Sequence, residues 1–461
     1  MPRRTSIRPD FSARLSFWLL TGFLVILWFA GGASRADVTG QAVNRFFAWT
    51  ILIAFALLAP KFEWRRVKPV AMLLGIAILL VALQLVPLPP TIWTALPGRE
   101  LFTRAAEVSG QPQPWRPLSI SPSGTANALG SLVIPSAVLV LCAQLTREQH
   151  WRIAELLLIL VVAGCVLALV QFSGSRFDNP LINYQRGSVS GNFANRNHFA
   201  LFVAFGCCLA PVWGFRAAGH DRWKAIVAIA VIPLFLLVIL ATGSRAGLLL
   251  GAMAIAAGAF LVRSSLVREF RVLPRWAAIS IVTALVGALA GAVLLSITLG
   301  RAIAIDRVFD LAATDDLRSR ALPSVIEALL RYFPAGTGFG TFDPVYRIGE
   351  PYELLQPQYF NHAHNDWLEI VLDGGIAGVG LLLGAIVWSA IAAIRAWRAK
   401  RDGRTLNGAA VVGLTLLALS STVDYPARTP MFMALIIILG VWLNQSPRAS
   451  EKMPSPDTAA S

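Results

Sequence analysis

The feature that most constrains this chain is a series of long apolar runs. A helix that crosses a bilayer core of about 30 Å needs roughly 20 apolar residues, and about 17–25 is the usual range. Twelve segments meet this requirement: about 17–33, 44–60, 69–88, 126–145, 151–172, 198–215, 225–242, 246–262, 276–299, 367–394, 406–423 and 429–445. The sequence therefore predicts an all-α integral membrane protein with about twelve transmembrane helices.

Composition supports this prediction and excludes the ordinary soluble classes. Of the 461 residues, 56% are hydrophobic and 14% are charged, whereas a soluble domain carries about 25% charged residues. The four cysteines lie within apolar runs, with neither the spacing of a zinc site nor that of a disulfide framework. The surplus of apolar residues therefore needs a solvent other than water, and the lipid bilayer supplies it.

The formal net charge of +15 is unevenly distributed among the predicted loops. With residues 1–16 in the cytoplasm, every short basic loop falls on the cytoplasmic side, which then holds 24 Lys and Arg and nine acidic residues. The opposite side holds 16 of each. An excess of positive charge in cytoplasmic loops is the usual orientation signal of membrane proteins. We therefore expect cytoplasmic termini, residues 446–461 as a disordered tail, and no nucleic-acid partner.

Three loops on the neutral side are long, at about 89–125, 173–197 and 300–366. Long loops more often carry function than short connections do. Within the longest loop, between the ninth and tenth spans, Arg318 to Phe333 has apolar residues at helical spacing. The pattern predicts an amphipathic helix that lies on the membrane or closes over a cavity, and a packed cover with no direct role is the alternative.

Four polar clusters fall on the neutral, extracytoplasmic side. They are Gly191 to His198 before the sixth span, Thr242 to Arg245 after the seventh, Asn361 to Asp366 before the tenth, and Asp424 to Arg428 before the last. Each has an ordinary explanation, because boundary arginines reach lipid phosphates, and Asp366, Glu369 and Asp373 can pair with arginines of neighbouring helices. Three of the five histidines nevertheless gather there with several arginines, which favours a functional site.

These residue types suit one kind of chemistry. Arginines bind a diphosphate bidentately without a metal, and a histidine titrates near the pH at which a general base must work. The chain has no Walker loop, GxSxG elbow or DxD pair, and the pair His362 and His364 has no third metal ligand at a suitable spacing. We therefore expect glycosyl transfer from a lipid diphosphate sugar, with neither metal nor cofactor.

At these residues the sequence resembles the O-antigen ligase and polymerase superfamily of bacterial envelope polysaccharide enzymes. The resemblance covers about residues 190–430 and depends on Asn195 to Ala200, Ser244 to Gly247, Gly336 to Phe342, His362 to Asp366 with Gly374 to Gly378, and Asp424 to Pro426. It implies a GT-C-like enzyme of the bacterial inner membrane. Residues 17–172 would form the first five helices, and 173–445 the catalytic membrane region with a periplasmic loop at 300–366.

The implied reaction takes a glycan from undecaprenyl diphosphate and inverts the anomeric centre without a metal. In a ligase the acceptor is a lipid A–core sugar, and in a polymerase it is another lipid-linked glycan. The general base would be His364, with His362 as a near-equivalent. The diphosphate would be held by Arg245 and Arg320, with Arg196 as a third candidate and Arg318 as a near-equivalent. The other substrate-binding residues would be His198, Asn365, Asp366 and Asp424.

Two alternatives come from other classes of protein. A polysaccharide or lipid transporter carries ionisable groups near the middle of the membrane and often has inverted repeats, and neither pattern is evident here. A structural partner in an envelope assembly complex would use the arginines as lipid anchors. Within the enzyme hypothesis, ligase, O-antigen polymerase and exopolysaccharide polymerase stay open. The glycine-rich Gly336 to Phe342 segment follows a predicted helix, so we expect it to shape the loop instead of binding phosphate.

Overall fold

The computed structural model describes residues 9–58, 62–174, 179–182, 188–216, 222–272, 283, 287, 317–355, 360–398 and 404–445, and the structural statements below concern these residues. The predicted ninth span, 276–299, lies outside them except for residues 283 and 287. The predicted tail and the first part of the longest loop, residues 300–316, also lie outside them.

The described chain is almost entirely helical. In chain order, its elements are α1 (Pro9–Ala30), α2 (Thr39–Leu58), α3 (Trp64–Leu83), β1 (Pro87–Leu88), α4 (Pro90–Trp93), α5 (Glu100–Val108), β2 (Arg116–Pro117), α6 (Pro122–Ser131), α7 (Val133–Gln144), α8 (Arg147–Phe172), α9 (Arg196–Gly214), α10 (Arg222–Thr242), α11 (Arg245–Val272), α12 (Leu317–Tyr332), α13 (Phe342–Ile348), a 3₁₀ turn (Tyr352–Leu354), α14 (Asp366–Arg398), α15 (Arg404–Ser420), a 3₁₀ turn (Pro426–Arg428) and α16 (Pro430–Asn444). The two short strands pair antiparallel.

The apolar runs form the expected helices. In the described part of the chain, nine helical segments are long and apolar enough to cross a membrane, one of them formed by α6 and α7 together (Pro122–Gln144). Two shorter apolar helices, Thr405–Ser420 and Pro430–Asn444, coincide with the last two predicted spans. Every predicted span that can be compared is therefore an apolar helix, and the protein is a multi-pass helical membrane protein. The total of twelve stays a prediction.

Helix α9 lies at the centre of the bundle and is buried along most of its length. It packs against α8, α10, α11 and α15. Small residues permit this close packing, because Gly247 of α11 meets Ala200 and Gly258 meets Cys208 and Pro211. Small residues at contacts between membrane helices let the backbones approach closely. The central position of α9 fixes where its first residues lie relative to the other helices.

Helix α14, predicted as one continuous span, is broken at Gly375, where φ is +55° and ψ is −143°. The break frees backbone carbonyls, which are then bonded by other segments. The Leu372 carbonyl accepts the Thr337 amide at 3.0 Å, and the Asp373 carbonyl accepts the Gly338 amide at 2.9 Å and the Gln84 side-chain amide at 3.0 Å. A break in a membrane helix is tolerated where such partners satisfy the backbone.

A layer that contains α12 and α13 lies outside the long helices and packs against the first part of α14. The predicted amphipathic helix is present as α12, and its Ala321, Val325 and Tyr332 pack with residues of α13 and α14 in a second small core. Arg99 ties this layer to the segment before α6, because its buried guanidinium donates to the Leu118 carbonyl at 2.8 Å and to the Gly336 carbonyl at 3.0 Å. The layer therefore fixes the loop that leads into α14.

Candidate functional site

Three of the four polar clusters of the sequence meet at one end of the bundle, around the carboxylate of Asp424. This residue lies in the turn between α15 and α16 and is 1% exposed. Its oxygens accept hydrogen bonds from the side-chain amide of Asn195, at 3.1 and 3.0 Å, and from that of Asn197, at 2.7 Å. The motif before α9 and the motif before α16 are thus bonded directly, although more than 220 residues separate them.

Three cationic or titratable side chains surround the same carboxylate. Oδ1 of Asp424 lies 3.3 Å from Nδ1 of His364 and 3.5 Å from Nε2 of His198, and Oδ2 lies 3.8 Å from Nη1 of Arg318. Burial tends to raise the pKa of Asp424, but the contacts with His198, the hydrogen bond from His364 and the positive charge of Arg318 outweigh this effect and hold the pKa well below its usual range. Asp424 is therefore a carboxylate near neutral pH.

His364 has an unusual backbone conformation. Its φ is +49°, the left-handed region that residues other than glycine rarely adopt, and such conformations tend to occur at functional sites. The side chain is 15% exposed and lies between the rings of Phe360 and Tyr425, with centroid distances of 5.1 and 4.8 Å. Burial lowers the pKa of His364, and the Asp424 carboxylate offsets only part of this effect. The imidazole is therefore neutral near pH 7, and its Nε2 can accept a proton.

His362 has a carboxylate partner of its own. Its Nδ1 lies 2.9 Å from Oε1 of Glu369, a fully buried residue in the first turn of α14. The other oxygen of Glu369 accepts the backbone amide of Ala363 at 2.8 Å. The ring of His362 also packs against the ring of Tyr425, with a centroid distance of 4.3 Å. Both histidines of the motif thus have Nδ1 facing a buried carboxylate, and geometry alone does not choose between them.

Arg428 joins three acidic residues on one face of α14. Its guanidinium lies 3.4 Å from Asp366, 3.2 Å from Glu369 and 3.6 Å from Asp373. The three carboxylates are at most 4% exposed, and the arginine side chain is 17% exposed. The sequence indicated that these acidic residues could pair with arginines of neighbouring helices, but it did not single out Arg428. The residues next to Arg428 in sequence give no signal for this pairing, because its partners lie on another helix.

The four candidate diphosphate-binding arginines lie at the beginnings of helices. Arg318 and Arg320 are in the first turn of α12, and Arg320 is exposed, with Nη2 3.4 Å from the Glu353 carbonyl. Arg196 is the first residue of α9 and Arg245 the first of α11. The contact of Gly247 with Ala200 brings the beginnings of α9 and α11 side by side. Only Arg318 among them contacts Asp424 in the described structure.

Other residues singled out in the sequence have structural partners. The Asn365 side chain accepts the Leu368 amide at 3.1 Å and donates to the Thr422 carbonyl at 3.0 Å. Besides Arg428, Asp366 bonds the Ser421 hydroxyl at 2.9 Å and the Ala427 amide at 3.2 Å. These contacts tie the histidine loop to the turn that carries Asp424.

Sequence reasoning passed over three residues that the structure places beside the histidines. Asn195 and Asn197 were noted only as parts of a motif, and Tyr425 only as a neighbour of Asp424. Asn195 also caps α9, since its Oδ1 accepts the Asn197 amide at 2.8 Å. An asparagine before a helix normally indicates only a cap, so the second role of Asn195 was not visible in the sequence.

The glycine-rich segment is held by bonds within the protein. Gly336, Gly338 and Gly340 have positive φ values of 82°, 102° and 79°. The amides of Gly338 and Gly340 donate to the backbone carbonyl and the side chain of Asp373, at 2.9 and 3.1 Å. Amides used in this way are not available to a phosphate, which is what a loop-shaping role requires. Among the described residues, no group of three or more His, Cys, Asp or Glu side chains is placed to hold a metal ion.

The fold and this site define a multi-pass helical membrane protein with a buried histidine–carboxylate centre at one end of its bundle. A family model described as O-antigen ligase matches residues 229–383, the range that holds Arg245, α12 and both histidines of the loop. The match supports the resemblance of the chain to the O-antigen ligase and polymerase superfamily over these residues. The matched family supports a ligase- or polymerase-type membrane enzyme and implies, in general, a lipid-linked glycan and an acceptor as partners. No curated protein matches the chain.

Proposed function

We propose that this chain transfers a glycan from undecaprenyl diphosphate to a sugar hydroxyl, at the periplasmic face of the bacterial inner membrane. The observation that carries the proposal is the pair of His364 and Asp424, 3.3 Å apart, with Arg318 beside the same carboxylate. A neutral imidazole oriented by a carboxylate is a general base, and arginines bind a diphosphate. The fold proposed for this reaction is GT-C-like, with both termini in the cytoplasm.

In the proposed reaction, the acceptor hydroxyl oxygen attacks the anomeric carbon of the donor sugar. Nε2 of His364 takes the hydroxyl proton while the bond between the anomeric carbon and the diphosphate oxygen breaks. The undecaprenyl diphosphate departs with the electron pair of that bond, and the configuration inverts because attack and departure occur on opposite faces of the ring. Asp424 keeps the imidazole in the required orientation and stabilises the imidazolium that forms, and no metal or cofactor takes part.

We assign the stabilisation of the negative charge on the departing diphosphate to the arginines at the beginnings of the helices. Arg320 and Arg245 are the first candidates, with Arg196 and Arg318 beside them. The positive ends of the helix dipoles, at the N-termini of α9, α11 and α12, add to the attraction for an anion. His198, Asn365 and Asp366 complete the proposed substrate-binding set. Asn365 and Asp366 act indirectly, by holding the histidine loop in place.

The acceptor proposed first is a lipid A–core sugar, which makes the chain an O-antigen ligase. An O-antigen or exopolysaccharide polymerase would use the same donor chemistry. A deletion strain separates these cases: loss of all surface O-chain indicates a ligase, a single attached repeat indicates a polymerase, and intact lipopolysaccharide with a missing secreted polymer indicates an exopolysaccharide enzyme.

The base assignment is tested with purified protein, an undecaprenyl diphosphate glycan, an acceptor and EDTA. His364→Ala should lower kcat by about 10²–10⁴-fold, the usual contribution of a general base. His362→Ala, measured in parallel, decides between the two histidines. His150→Gln is the matched control and should keep wild-type activity, because His150 lies away from this site and contacts Trp442. Full activity of His364→Ala would remove His364 as the base.

A further inference from the structure

Arg428 occupies a junction between the histidine loop, the turn that carries Asp424 and the glycine-rich segment. Through Glu369 it reaches the histidine loop, because Glu369 holds Nδ1 of His362 and the amide of Ala363. Through Asp366 it reaches the turn before α16, because Asp366 bonds Ser421 and Ala427 on either side of Asp424.

The third branch runs to the glycine-rich segment. Asp373, 3.6 Å from Arg428, accepts the Gly340 amide and lies next to Thr337. Buried carboxylates left without a partner are strongly destabilising, so a shared cation stabilises three of them on one helix face. A planar guanidinium with five donors can serve several carboxylates at once, which a lysine ammonium does less well. One arginine therefore fixes three segments relative to one another.

We propose that Arg428 is a positioning residue that sets the geometry of His362 and His364 relative to Asp424. This inference rests on the proposed function for its kinetic consequence, but its structural consequence is independent of any reaction. Without Arg428, Glu369 and Asp366 lose their common partner. The histidine loop and the Asp424 turn then move apart, while Arg320, Arg245 and Arg196, for which no contact with Asp424 is described, keep their positions.

The test measures histidine reactivity and kinetics on the same purified full-length variants. In Arg428→Gln, the rate at which diethyl pyrocarbonate modifies His362 and His364, followed by peptide mass spectrometry, should rise severalfold. The rate at His150 in the same molecule should not change. We expect kcat to fall by about 10²-fold, the cost of a misplacement of about 1 Å, and the KM for the donor to stay near the wild-type value. Arg45→Gln is the matched control, since Arg45 also joins two helices, through Asn127.

Two further variants separate positioning from charge balance and from folding. Arg428→Gln combined with Asp373→Asn removes one surplus carboxylate, and we expect its kcat to stay low. A return of kcat to the wild-type level would mean that Arg428 only balances charge and would overturn the proposal. Arg428→Lys keeps the charge and should give intermediate kcat and histidine reactivity, and it serves where the glutamine variants yield no folded protein.

Unchanged reactivity of both histidines in Arg428→Gln, or wild-type behaviour of Arg428→Lys in both measurements, would also overturn the proposal. Full activity of His364→Ala would instead contradict the base assignment while the reactivity measurement still tested Arg428. The two failures are thus distinguishable.

Discussion

The two ends of the helix bundle both bury histidines, but their partners differ. At one end, Nδ1 of His150 accepts a hydrogen bond from the Trp442 indole at 3.2 Å, and the histidine is 4% exposed. At the other end, His362 and His364 each have Nδ1 against a buried carboxylate. Trp442 lies twelve residues along α16 from its first residue, Pro430, which is about 18 Å at 1.5 Å per residue. The two arrangements are therefore well separated.

The polar contacts near His150 satisfy helix ends. The side-chain amide of Asn407 donates to the Trp442 and Leu443 carbonyls at the end of α16, and that of Asn444 donates to the Arg66 carbonyl. The last carbonyls of a helix lack intrahelical partners, so these bonds stabilise the fold. Buried carboxylates, by contrast, cost desolvation energy. Their concentration around His362 and His364 supports the proposal that proton transfer takes place at that end of the bundle.

The largest effect should come from removing the carboxylate shared by the site. Asp424→Asn is expected to lower kcat by at least about 10²-fold, because the imidazole of His364 loses the group that orients it and stabilises its charged form. Steady-state transfer assays check this. The matched control is Asp343→Asn, because Asp343 pairs with Arg347 on the surface of α13, and such pairs contribute about 0–1 kcal/mol. Equal activities of the two variants would mean that the buried carboxylate of Asp424 does not assist the reaction.

The sequence was sufficient to predict the apolar helices and that polar clusters distant in sequence lie at the same end of the bundle. Apolar length alone located every described span, and the spacing from Arg318 to Phe333 located α12 (Leu317–Tyr332). The sequence was not sufficient to predict which of the polar residues contact one another. Asp424 meets Asn195 across 229 positions, and each of these residues has an ordinary local explanation as a turn or cap residue. The break at Gly375 was also missed, because glycine is common in membrane helices.

The contacts of Arg428 also could not be predicted from the sequence. The sequence indicated that Asp366, Glu369 and Asp373 lie on one face of a helix, since their spacing is three and four residues. It did not indicate which cation they meet, because that depends on how α14 packs against the turn before α16. Helical periodicity gives the face of a helix, whereas tertiary packing gives its neighbour. The residues that hold the site together are therefore harder to predict than the histidines they hold.

The pH dependence of transfer should reflect the lowered pKa of His364. Burial lowers this pKa, nearby Arg318 and His362 lower it further, and Asp424 offsets part of the effect. The general base must be neutral, so kcat should stay level down to about pH 6.5, the ordinary histidine pKa. Below the pKa of His364, kcat should fall about tenfold per pH unit. In Asp424→Asn this decline should begin at a lower pH still, because the group that raises the pKa is lost. A decline centred above pH 7 in the wild type would contradict the assignment.

The smallest effect on activity should come from the other buried histidine. His150→Phe leaves the Trp442 indole N–H without its acceptor, and an unsatisfied buried donor costs about 1–3 kcal/mol of stability. Thermal unfolding in detergent should therefore show a lower Tm, whereas kcat should equal the wild-type value at the assay temperature. His150→Gln retains an acceptor in the side chain and should lose less stability than the phenylalanine variant. A large loss of kcat in His150→Gln with an unchanged Tm would mean that both ends of the bundle take part in the reaction, and the distinction between a structural and a proton-handling histidine would then be wrong.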